Sequence, residues 1–173
     1  IKFNLLNPDG YDRMVMPDGK AVFIPNGFDR LADNIESAYP GQGEKVKRFT
    51  TILQKIRRQL RLIPDRKIKW WEFIVKSYRV PTLLRYLNKT TQQVFDECHL
   101  SKDAQAVLIA NAGAMMAPPE DLSILAYCGL FSGYNSGAYY PAKHFKYFVS
   151  RLAKFITDHD GCHIYYETPV SQI

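Results

Sequence analysis

Between Ser136 and Ile173 the chain carries its cleanest helical period, and everything upstream must be able to pack on the unit built around it. Phe145, Phe148, Val149, Leu152, Phe155 and Ile156 recur at steps of three and four, so one helix face is apolar. Lys143, Lys146, Arg151, Lys154 and Asp158 fall on the other faces. Gly161 is predicted to stop this helix, because a residue without Cβ takes positive φ freely. Short strands are expected at Gly137 to Tyr140 and at Cys162 to Tyr166, which makes the unit strand–helix–strand.

Upstream, Lys2–Leu6, Tyr11–Met16 and Ala21–Ile24 are short extended runs separated by Asn7-Pro8-Asp9-Gly10, Pro17-Asp18-Gly19 and Pro25-Asn26-Gly27. Proline fixes φ and glycine supplies positive φ, so these are turns, and the three runs read as an antiparallel meander. The alternation of Lys2 and Asn4 with Phe3 and Leu5 predicts a half-buried first strand. From Phe28 the period turns helical: Phe28, Leu31, Ile35 and Tyr39, then Val46, Phe49, Ile52, Leu53, Ile56 and Leu60. Further helices are expected over Lys67 to Tyr78, Thr82 to Leu87, Gln92 to Cys98, Ser101 to Ala112 and Leu122 to Phe131. Thr90 or Thr91 and Ser101 are the predicted caps, and Pro118-Pro119 opens the last of these helices. The expected fold class is α+β: a small mixed or antiparallel sheet, made by the meander and the C-terminal strands, packed with about six helices in one domain.

A chain of 173 residues, 46% hydrophobic and 13% aromatic, can bury a real core and is not a disordered segment. Three widely spaced cysteines, Cys98, Cys128 and Cys162, match neither a zinc knuckle nor a redox pair and suit reduced thiols in a cytoplasmic protein. No metal site is expected. The net charge of +6 is concentrated: from Glu44 to Lys69 ten Lys or Arg face two acids, so this segment is +8 and the remainder −2. Such a segment suits a solvated helix face, a lipid headgroup layer or nucleic acid. A nucleic-acid partner is the weakest of these, since no reading motif accompanies the charge. Trp70 and Trp71 follow the basic run and are flanked by Lys69, Lys76 and Arg79, which suits peripheral contact with a membrane as well as a place in the core.

Catalytic motifs are scarce. The chain lacks a dinucleotide-binding Gly-x-Gly-x-x-Gly, a phosphate-cradling Gly-rich loop ending in Lys-Ser or Lys-Thr, a His-Glu-x-x-His pair and a Gly-x-Ser-x-Gly elbow. Against that background, Gly137-Ala138-Tyr139-Tyr140-Pro141, the helix, Asp160-Gly161-Cys162-His163-Ile164 and Thr168-Pro169-Val170-Ser171-Gln172-Ile173 resemble the middle of the phytoene desaturase and retinol saturase family of amine-oxidase-like flavoenzymes. Asp18-Gly19 before a strand, Tyr39-Pro40 before a helix and Pro118-Pro119 agree with the same pattern, so the resemblance extends over nearly the whole chain.

The resemblance implies the substrate-binding domain of an FAD-dependent oxidoreductase that acts on a polyene or another apolar molecule. The flavin-binding glycines would belong to another part of the same polypeptide. The first residue, Ile1, fits an excised middle segment, inactive by itself. Substrate-binding candidates are Tyr134, Tyr139, Tyr140, Lys143 and His144, with Met115 and Met116 as adaptable walls. By the same resemblance Val170 would meet the adenine end of FAD through its backbone. The family's Gly-Gly after Tyr-Pro is replaced by Lys143-His144, which implies a changed pocket mouth. A lysine–histidine pair could also move protons, or it could be two first-turn surface residues. The alternative function is a non-catalytic lipid or membrane-surface binding module.

Overall fold

A computed structural model describes residues 1–64 and 77–172, and they fall into two compact units: Asn7–Gly137, and a smaller one made of Ile1–Leu6 with the chain from Ala138 onward. The predicted helix at Lys67 to Tyr78, with Trp70 and Trp71, lies almost wholly outside the described residues.

The larger unit opens with a hairpin of β2 (Asp12–Val15) and β3 (Ala21–Ile24). Its turn closes as Pro-Asp-Gly chemistry dictates, with Gly19 at φ 81 and its amide donating to Met16 O at 2.9 Å. Helices follow: α1 (Phe28–Ala38), α2 (Gly43–Leu60), α3 (Pro81–Tyr86), α4 (Thr91–Glu97) and α5 (Lys102–Ile109). A 3-10 turn (Ala110–Met115) then leads to α6 (Ile124–Tyr134).

The caps explain the boundaries. Thr90 and Gln93 form a reciprocal capping box at α4, and the Ser101 hydroxyl accepts from Ala104 N–H at α5. Pro118-Pro119 does not open α6. The amides of Asp121 and Leu122 turn back to donate to Pro118 O, and Ser123 caps the helix instead, so α6 starts later than the prolines suggest.

The core of this unit is an aromatic cluster. Phe49 of α2 meets Phe95 of α4 at 4.9 Å between ring centres, and Tyr127 stacks on Phe131 at 5.0 Å. Tyr127 is fully buried, so its hydroxyl needs a partner, and it donates to Leu108 O at 2.7 Å. That carbonyl belongs to the last turn of α5. One hydrogen bond therefore stitches α6 to the end of α5.

The smaller unit departs from expectation. β1 (Phe3–Leu5) pairs antiparallel with β4 (Tyr139–Pro141), Asn4 opposite Tyr140, rather than with β2. The expected meander and single mixed sheet are therefore replaced by two separate two-stranded sheets. The pairing extends past the strands, since Leu6 N–H donates to Ala138 O and Ala142 N–H to Lys2 O, both at 2.9 Å. The predicted half-burial of β1 fails as well: Phe3 and Leu5 stay exposed, with Phe3 touching Phe148 edge-on at 5.7 Å.

After β4 comes α7 (Phe145–Thr157), followed by Gly161 at φ 76, as its sequence position predicts. Cys162 to Tyr166 is not a strand. No neighbouring strand among the described residues takes its backbone groups, and a lone extended run has no ladder to hold it. The α+β class with a small antiparallel sheet stands; the strand–helix–strand unit is reduced to strand and helix.

Candidate functional site

The chain sequence around His144 sets a helix start. His144 is the N-cap of α7, and its Nδ1 accepts from Tyr147 N–H at 3.0 Å. An accepting Nδ1 is unprotonated, so the ring's proton sits on Nε2. Lys143 places its ammonium 4.4 Å from the centre of the Tyr147 ring. Tyr140 packs edge-on against Phe145 at 5.0 Å, and Tyr139 is exposed beside it on β4. Four of the predicted residues, Tyr139, Tyr140, Lys143 and His144, are thus gathered at the β4–α7 junction of the smaller unit.

The same helix presents its apolar stripe to solvent. No residue of α7 is buried; Val149 is 58% and Phe155 65% exposed, and Leu152 and Ile156 are exposed beside them. An amphipathic helix in water normally hides this face. Here it is open, and it continues the exposed side chains of β1 and β4 within the same unit.

The other predicted residues lie in the larger unit. Met115 ends the 3-10 turn and packs half-buried on the core, whereas Met116 is left-handed at φ 50 and 96% exposed. Tyr134, at the end of α6, lines a cleft of about 10 Å³ with Phe28, Leu31 and Asn135, which is room for one water molecule and not for a substrate. A groove of about 430 Å³ between β3 and α1, lined by Lys20, Val22, Phe23, Asn34 and Ala38, was not foreseen from sequence. Its signal was weak: strand alternation in Ala21–Ile24 and one polar position, Asn34, whose amide donates to Phe23 O at 2.9 Å.

At the two glycine turns before α1 and α2, the amides of Asn26, Gly41 and Gly43 are not free for a dinucleotide phosphate. A dinucleotide needs free amides at a glycine turn or helix N-terminus. At the β3-to-α1 turn Pro25 has no N–H, and Asn26 N–H donates to Pro8 O at 2.8 Å. At the start of α2 the Glu36 carboxylate already takes the amides of Gly41 and Gly43, which holds its own pKa below the usual carboxylate range. A Cβ on Gly43 would come within 3.0 Å of Glu36, so the glycine is what admits the carboxylate. Val170 is 76% exposed and lies in no regular element.

Among the described residues no cluster of His, Cys, Asp and Glu could hold a metal ion. Cys98 and Cys128 are buried free thiols, with burial pushing Cys98 up to about 11 and raising Cys128 also; neither is poised as a nucleophile. No helix among the described residues is long and apolar enough to cross a membrane. Comparisons with protein-family models, curated proteins and solved structures give no match to this chain.

Proposed function

We propose that this chain is the substrate-holding part of a longer FAD-dependent oxidoreductase that acts on a polyene or similar apolar molecule, and that α7 is the surface through which it joins a flavin-binding domain. The observation that carries this reading is the uncovered stripe of α7. A two-stranded sheet and one helix cannot bury such a face alone, and two-stranded ribbons are marginal in water. The unit needs a further layer, and the sequence resemblance says which kind. In this reading the glycine-rich flavin motif belongs to that layer, and Val170 is the residue of this chain that meets the cofactor. The part assigned to this chain is to bind and orient the apolar molecule, with Tyr139, Tyr140, Lys143 and His144 at the junction that faces the missing layer.

The test uses the polypeptide that contains this chain together with its flanking sequence. It is expected to co-purify with FAD, and Val149→Ser with Phe155→Ser is expected to lower its FAD content while leaving the chain folded. A flavin-free polypeptide that takes up no added FAD would instead favour a non-catalytic lipid-binding module, for which the exposed basic and aliphatic residues at the end of α2 speak independently.

A further inference from the structure

The end of α2 sets exposed aliphatic side chains among arginines. Leu60, Leu62 and Ile63 are all exposed, Leu62 by 53%. They form a compact knob, because Leu62 N–H donates to Gln59 O and Ile63 N–H to Leu60 O as the helix tightens and stops. The start of α3 lies alongside, since Gln59 Oε1 accepts from Leu83 N–H at 2.7 Å in a buried contact. Tyr78, three residues before α3, is 67% exposed.

Arginines are interleaved with these side chains. Arg58 and Arg61 have no ion-pair partner among the described residues, and Arg79 lies against the Tyr78 ring and donates to its hydroxyl. No Asp or Glu occurs from Lys45 to Pro64 or from Ser77 to Phe95. We infer that this surface docks on an anionic lipid bilayer, the arginines meeting headgroup phosphates and carboxylates while Leu60, Leu62 and Ile63 enter the acyl boundary. Nucleic acid is the poorer fit, because single strands are held on aromatic platforms and the knob is aliphatic. The surface requires no flavin, so its failure would leave the flavin measurement untouched.

Vesicle sedimentation of the 173-residue chain tests this directly. The chain is expected to sediment with phosphatidylcholine vesicles containing phosphatidylserine, to stay in solution with phosphatidylcholine alone, and to be released by salt. Each arginine at an anionic surface contributes about fivefold, so Arg58→Gln with Arg61→Gln and Arg79→Gln is expected to weaken binding on the order of 100-fold. Leu62→Ser with Ile63→Ser is expected to weaken it too, with thermal melting of both variants unchanged. Undiminished binding of the arginine variant would overturn the inference. So would binding abolished by Val149→Ser with Phe155→Ser on α7 instead, or tighter retention on poly-uridylate than on vesicles.

Discussion

His144 holds the start of α7 with a ring nitrogen where a hydroxyl or carboxylate is the usual choice. The role is specific enough to separate a cap from a proton carrier. His144→Ala is expected to cost the helix about 1 kcal/mol and to speed hydrogen exchange at the Tyr147 amide, whereas His144→Asn restores an acceptor and protection. If the polypeptide with its flanking sequence turns over substrate, activity retained by His144→Asn would identify a cap, and activity lost with protection intact would identify proton chemistry. Tyr127→Phe belongs to the same scale. It strips the donor from Leu108 O in a fully buried place and is expected to destabilise the larger unit by about 1–2 kcal/mol in urea unfolding. Glu97 offers a pH test. Its carboxylate accepts from Lys89, from the Tyr86 hydroxyl and from Arg85, and these hold it below its ordinary 4.5, the Lys89 bond foremost. Tyr86 is pushed up to about 12, by burial first and Glu97 next. A depressed carboxylate stabilises the fold above its unfolded value and loses that contribution as pH falls through its folded value. Glu97→Gln is therefore expected to be less stable at neutral pH and to lose less on acidification below pH 4.5.

At the scale of elements, the periodic helices were legible because each carries its own signal in consecutive residues. Phe28, Leu31 and Ile35 do sit in the core, as do Val46, Phe49, Leu53 and Ile56. The caps at Thr90 and Ser101 were equally local. What failed was pairing. Nothing in Phe3–Leu5 tells it to choose Tyr139–Pro141 over a neighbour seven residues away, because strand partners are fixed by tertiary packing and not by the strand's own residues. The α7 stripe shows the opposite limit. Its period predicted a helix correctly, yet period alone cannot say whether a buried partner is present. The consequence is measurable: Val149→Ser with Phe155→Ser is expected to change the stability of the 173-residue chain by less than about 0.5 kcal/mol, while Phe49→Ala in the core costs about 3–5 kcal/mol. A large loss from the α7 pair would mean that its face is covered within the chain itself.

For the whole molecule, the division into two units is what joins fold to function. The larger one has a continuous core of buried apolar residues from α1 to α6, so a fragment spanning Asn7–Gly137 is expected to melt cooperatively without the rest. The smaller one has exposed apolar residues on β1, β4 and α7 and little to cover them. Its predicted residues, Tyr139, Tyr140, Lys143 and His144, came together because they are close in sequence; Met115, Met116 and Tyr134 belong to the other unit, which spacing in the sequence did not reveal. On the proposed function, the open side of α7 belongs against a flavin-binding layer. The ratio of bound flavin to protein, read from the visible absorbance of the purified polypeptide with its flanking sequence, tests it most directly. One FAD per chain is expected in the unaltered protein, with a marked loss on Val149→Ser and Phe155→Ser; a colourless protein that stays flavin-free when FAD is added would rule out the flavin-binding layer.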